Sequence, residues 1–151
     1  MQQNKEEKNE KQRRHFVPPA SVRREAKLGL RLHEAGFKGG TATGWNRARQ
    51  LANSERIPIA TLATMRAWYA RHGPDAANGG TSYPGYLKWL NDGKPMKPTG
   101  SNHDDYRGAV AWLIWGGDAA YKWLKTTEIR RALLKEYPKR KVASPTNNLK
   151  K

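Results

Sequence analysis

The sequence predicts an all-α protein: a compact bundle of about five helices with a helix-turn-helix-like pair and basic flexible tails. Three observations predict it. Apolar residues recur at helical spacing, as in Val22, Ala26 and Leu30. No run alternates at period two, the pattern of a half-buried strand. Gly, Pro and Ser/Thr/Asp signals cut the chain into segments of helical length.

The elements follow in order. Residues 1–15 mix Lys, Glu, Gln and Asn and cannot bury enough apolar surface to offset their ordering entropy, so a frayed helix or a disordered basic arm is expected. A helical domain over residues 16–138 begins at Phe16-Val17-Pro18-Pro19. Ser21 is expected to cap a helix from Val22 to about Ala35, and Gly36 to end it in a left-handed conformation. Val22, Ala26 and Leu30 share its inner face, and Arg23, Arg24, Lys27 and Arg31 point largely elsewhere. The glycine-rich turn at residues 38–44 carries Thr41 and Thr43, either of which can cap a second helix from about Gly44 to Asn53. Its inner face is Trp45, Ala48, Leu51 and Ala52, with Arg47 and Arg49 outside it.

Pro58 restricts Ile57 to extended backbone, so the third helix is expected from Ala60 or Thr61 to about His72, with Leu62, Met65, Trp68 and Tyr69 inward. Gly73-Pro74 stops it. A short helix at Tyr86 to Leu90 carries Trp89, between loops. Asp104 is expected to cap the most apolar stretch, Tyr106 to Trp115. After Gly116-Gly117, Asp118 caps one last helix from Ala119 to about Tyr137, with Tyr121, Leu124, Ile129 and Leu133 near one side and Arg130, Arg131 and Lys135 outside. Pro138 ends it, and residues 139–151 form a basic tail that opens with Lys139, Arg140 and Lys141.

Charge is the strongest functional signal. The chain has 29 Lys and Arg against 13 Asp and Glu, a net of +16 on 151 residues. Such a field draws polyanions and repels copies of the same chain, and nucleic acid is the commonest polyanion a protein meets. Cysteine is absent, which removes disulfides, thiolate catalysis and Cys-type zinc sites. No apolar run approaches the ~20 residues of a membrane span, and the first residues are polar, so neither a membrane partner nor a secretory signal is expected.

Local motifs refine this. Leu51-Ala52, then Ile57, then Leu62 and Met65 match the apolar spacing of a helix-turn-helix, which would turn Thr61, Thr64, Arg66 and Arg71 outward; an ordinary antiparallel helix pair fits the same spacing. Gly39-Gly40-Thr41 before a helix, with Lys38, Arg47 and Arg49 nearby, could hold a backbone phosphate. The Gly-Lys-Ser/Thr ending of a nucleotide-binding loop is missing, so no nucleotide cofactor is expected. The alternative for these arginines is pairing with Glu55 or Glu34 to hold the fold. His103-Asp104-Asp105 is a single triplet in a loop and predicts no metal site. Glu25, Glu34, Asp118 and Glu128 show no acid–base spacing, and His15, His33 and His72 are isolated, so no enzyme and no cofactor are expected. Trp112, Trp115 and Trp123 read as core, whereas Tyr83, Tyr86 and Trp89, set among loops, are the candidate exposed anchors for a protein partner.

One wider pattern stands out. Val17-Pro18, Val22, Ala26, Gly29-Leu30, Gly39-Gly40-Thr41, Arg47-Ala48-Arg49 with Leu51-Ala52, Met65, Ala70-Arg71-His72 and the block Ala111-Trp112-Leu113-Ile114-Trp115-Gly116-Gly117-Asp118-Ala119 together resemble a small domain of tailed bacteriophages and prophages. The resemblance spans about Val17 to Trp123 and is most specific in its last block. It implies a phage origin and a compact domain, with no assigned activity. Ala120 stands where the family pattern has Gly, and Trp45-Asn46 where it has smaller residues.

The expected function is therefore that of a phage-encoded, non-enzymatic DNA-binding protein, contacting duplex DNA mainly through phosphates, in the host cytoplasm or nucleoid or in the virion. The cations expected to make those contacts are Arg23, Arg24, Lys27, Lys38, Arg47, Arg49, Arg66, Arg71, Arg130, Arg131, Lys139, Arg140 and Lys141. The alternative is a protein-interaction module that docks on a host or phage protein, or a head component.

Overall fold

The computed structural model describes residues 15–77 and 79–138. Their architecture is all-α: seven helices and one two-residue strand pair. β1 (His15–Phe16) pairs antiparallel with β2 (Ile57–Pro58), Phe16 opposite Ile57. The extended backbone that Pro58 imposes on Ile57 makes this pairing possible. His15, assigned from the sequence to the N-terminal arm, thus belongs to the strand pair.

Helix α1 (Ala20–Ala35) starts after Pro19, whose extended backbone suits the entry and whose carbonyl accepts from the N–H groups of Val22 and Arg23. Ser21 lies inside the helix and caps nothing, which corrects the expected start. At the other end Gly36 has φ 114°, its N–H donates to His33, and that of Phe37 donates to Leu32 at 3.1 Å. This is the Schellman arrangement, and it satisfies two terminal carbonyls. Helix α2 (Ala42–Ala52) is capped by Thr41, whose Oγ1 accepts from the Gly44 N–H at 3.2 Å. Helix α3 (Ile59–His72) begins directly after Pro58 and buries Ile59, Leu62, Met65, Trp68 and Tyr69.

Helix α4 (Tyr83–Asn91) is longer than expected because Pro84 sits in its first turn, where a missing N–H costs nothing. Tyr86 and Trp89 are buried and Tyr83 packs on Trp112 at 4.9 Å between ring centroids, so this trio is part of the core and not a set of exposed anchors. Helix α5 (Arg107–Ile114) is the central element. Its Ala109, Val110, Trp112, Leu113 and Ile114 have no exposed surface, and it packs between α1 on one side and α4 on the other. Such close approach needs glycine. A Cβ on Gly29 of α1 would lie 2.7 Å from Ile114 Cγ2, and one on Gly85 of α4 would lie 2.7 Å from the Gly108 Cα. Asp104 does not cap α5; its carboxylate pairs instead with the Arg107 side chain at 2.6 Å.

The single last helix is in fact two, α6 (Gly117–Trp123) and α7 (Thr127–Glu136). Thr126 adopts extended backbone at φ −67°, ψ 152° and its hydroxyl donates to the Trp123 carbonyl at 2.7 Å, which ends α6. The break lets α7 swing onto α3 while α6 stays against α1 and α5. Gly116, with φ 106°, precedes α6, and Asp118 does not cap it: its Oδ1 accepts from Trp112 Nε1 at 2.9 Å.

The helix-turn-helix expectation also needs correction. Leu51, Ile57, Leu62 and Met65 are buried as the spacing requires. However, α2 packs on α1 and α5, α3 packs on β2 and α7, and the two helices of the pair make little contact with each other. The reading helix of that motif is held by its partner helix, and here that support is lacking.

The core is aromatic. Trp68 stacks on Trp115 with centroids 5.0 Å apart and planes 11° apart, and Tyr69 meets Trp112 edge-on at 5.0 Å. The buried Tyr69 hydroxyl bonds the carbonyls of Trp115 and Gly117 at 3.1 and 2.8 Å, tying α3 to the turn before α6. Trp112, Trp115 and Trp123 are core, as their spacing predicts.

Candidate functional site

The cations named from the sequence fall into three groups, and the structure adds Arg31, not named as a contact, to the first. The first is a row on α1. Arg24, Lys27 and Arg31 are exposed, and their spacing sets them on the face opposite the buried Val22, Ala26 and Gly29. The ion pairs among the described residues are Lys88–Asp92, Arg107–Asp104 and Lys125–Asp75. None involves this row. Arg23, half-buried beside it, is turned to the backbone, with Nη1 donating to the Pro18 carbonyl at 2.9 Å.

The second group surrounds the glycine-rich turn. Lys38 and Arg49 are exposed, and Arg49 Nη1 donates to Asn46 Oδ1 at 3.0 Å. Arg47 is not on the outer face. It is half-buried, its guanidinium lies 5.6 Å from the Trp115 ring centroid, Nη1 donates to Gln50 at 2.5 Å, and Nε is buried with no acceptor among the described residues. Burial pushes its pKa below the usual arginine range. The turn itself is packed. A Cβ on Gly39 would lie 2.7 Å from the Arg107 carbonyl oxygen, and one on Gly40 would lie 2.6 Å from the Trp45 ring. Neither Glu34 nor Glu55 pairs with Arg47 or Arg49 among the described residues. Arg47 thus holds the fold through a ring and an amide, not through a carboxylate. Across the α1–α2 seam His33 sits on Trp45, ring centroids 3.9 Å apart.

The third group lies between α3 and α7. A groove of about 490 Å³ opens there. Ala70, Leu124, Leu133 and Leu134 form its apolar surface, with Arg66, Lys125 and Arg130 among its polar lining. Arg66 is half-buried and donates through Nη2 to the Tyr137 carbonyl at 2.6 Å, which ties α3 to the end of α7; burial lowers its pKa. The Asp75 carboxylate accepts from the Tyr121 hydroxyl at 2.5 Å and from Lys125 Nζ at 3.1 Å. Arg71 and Arg131 are exposed, and Lys139, Arg140 and Lys141 lie outside the described residues.

The surroundings of one acid, named from the sequence only as lacking an acid–base partner, were not legible there. Glu25 of α1 is half-buried against the Gly116–Gly117 turn, where a Cβ on Gly117 would collide with its Oε1, and that oxygen is buried with no donor among the described residues. Burial, then the nearby Asp118 charge, pushes its pKa up. Spacing could not reveal the pair, since Glu25 and Asp118 stand on helices far apart in sequence. Among the described residues no three His, Asp or Glu side chains gather as a metal site would need, and no helix is long and apolar enough to cross a membrane.

No family model, characterised protein or solved structure matches the chain.

Proposed function

We propose that this chain binds nucleic acid, duplex DNA above all, through phosphate contacts and without covalent chemistry. The observation that carries the reading is the row Arg24, Lys27 and Arg31, solvent-facing and paired with no carboxylate among the described residues. Glu34 shares this exposed face and pairs with none of the three, so the face carries three cations against one carboxylate. From Arg24 to Arg31 the helix rises about 10 Å. Over that length one DNA strand presents about three phosphates. The helix is also closely packed on its inner face, where a Cβ on Gly29 would lie 2.7 Å from Ile114 Cγ2.

The charge of residues 15–138 supports the same reading: they carry 19 Lys and Arg against 10 Asp and Glu, a net of +9. Contacts of this kind position a protein on the duplex and read little sequence. The likeness of the 111–119 block to a tailed-phage domain supports a setting in an infected bacterium, on its DNA or in the phage head. Anisotropy of a short labelled duplex across a salt series tests the proposal. Binding at low salt that weakens steeply between about 50 and 200 mM is expected. Absence of binding to any nucleic acid at low salt would refute it.

A further inference from the structure

We propose that the groove between α3 and α7 docks an acidic, apolar peptide segment of a partner protein. The argument starts from helical spacing. Arg66, Tyr69 and Ala70 share one face of α3; Arg130, Leu133 and Leu134 share one face of α7, and Tyr137 continues it. The two faces, with Leu124 between them, enclose the groove of about 490 Å³. Leu134 is 55% exposed and Tyr137 39%, so the apolar surface runs out of the groove along α7. These are among the large apolar side chains this protein leaves in water.

Charge selects the occupant. Asp75 at the groove is already engaged by Tyr121 and Lys125. Arg66 and Arg130 pair with no carboxylate among the described residues, and Arg66 gives one N–H to the Tyr137 carbonyl out of the five a guanidinium carries. A ligand here must place apolar groups on Ala70 and Leu134, the exposed apolar members of the lining, and acceptors on Arg66 and Arg130. A peptide carrying Leu-like and Glu-like side chains does both, and carboxylate–guanidinium bonds are among the stronger hydrogen bonds. A duplex backbone has the charge but offers nothing to those apolar side chains. A second copy of this chain offers apolar surface but brings its own +16 to a cationic rim.

The test uses the full chain and a short fluorescein-labelled peptide built only of Leu and Glu. Two control peptides replace every Leu by Ser or every Glu by Gln. Leu134→Gln and Arg130→Gln change exposed side chains, and circular dichroism with melting confirms that both variants fold. The Leu/Glu peptide should bind, and each control peptide and each variant should weaken binding by about tenfold, as for contacts at the centre of an interface. The Arg24→Gln/Lys27→Gln/Arg31→Gln variant should bind the peptide as the parent does, so this proposal and the nucleic-acid reading fail separately. No binding, equal binding of the Ser peptide, or indifference to Leu134→Gln would overturn the proposal. So would a loss of duplex affinity in Leu134→Gln, which assigns the groove to nucleic acid, or a parent dimer that Leu134→Gln dissociates, which assigns it to a second copy.

Discussion

The guanidinium of Arg47 on α2 lies over the ring of Trp115, 5.6 Å from its centroid, although Trp115 follows the end of α5, far away in sequence. The contact joins α2 to the end of α5 beneath the glycine-rich turn. A cation desolvated over a Trp face contributes about 1–2 kcal/mol. Arg47→Ala is therefore expected to lower stability by that amount, read from urea denaturation, with duplex affinity reduced less than by loss of the α1 row. A large loss of affinity at unchanged stability would return Arg47 to the interface.

Gly29 permits the closest approach of α1 to α5. Gly29→Ala gains about 1 kcal/mol of helix propensity. It also puts a methyl 2.7 Å from Ile114 Cγ2 and 2.8 Å from the Ile114 backbone nitrogen, and backbone cannot yield as a flexible side chain would. Overpacking of this kind typically costs about 1–3 kcal/mol. The expected net result is a lower denaturation midpoint at constant m-value; a raised midpoint would show that the α1–α5 crossing is looser than described.

Glu25 makes stability fall as pH rises. Its folded pKa is raised above the ordinary 4.5 by burial and then by Asp118, so the folded state holds a proton that the unfolded chain releases. Stability from this group is full below about 4.5 and declines as the pH rises through the raised value. Glu25→Gln should remove that decline, measured as melting temperature from mildly acidic to neutral pH. An unchanged profile would place the carboxylate in water. At the alkaline end Tyr86, pushed up to about 12 by burial and neighbouring acids, and the buried Tyr69 act in the same direction. Stability should fall above pH 10, where unfolded tyrosines ionise first.

Local signals were legible where the cause is local. Gly36 and Thr41 mark helix ends through their own backbone and hydroxyl, and Pro58 sets the start of α3. The apolar spacing of α3 named its buried face correctly. Misreadings arose where a distant partner decides. Asp118 has the sequence position of a cap but is taken by the Trp112 indole. Leu124 and Ile129 stand five residues apart, off the i+3/i+4 step, but no Gly or Pro marks the break at Thr126, so a single helix was expected where the backbone turned. Arg47 has the spacing of an outer residue on a short helix, yet α5 reaches over to cover it. Of the α1 row, Arg24 and Lys27 were named from the sequence because one face of a long amphipathic helix defines them; Arg31 on the same face was not named, and Arg23, which was, bonds the Pro18 carbonyl instead. The groove could not, because it forms between elements joined by no sequence pattern.

The central claim is that Arg24, Lys27 and Arg31 contact phosphate. The most direct measurement is the slope of log Kobs against log salt concentration for a short duplex, compared between the parent and the Arg24→Gln/Lys27→Gln/Arg31→Gln variant at equal melting temperature. Each lost phosphate contact should flatten the slope by about 0.9, so a flattening of about 2.7 is expected, together with weaker binding at every salt concentration. A variant with the parent's slope and affinity would contradict the account.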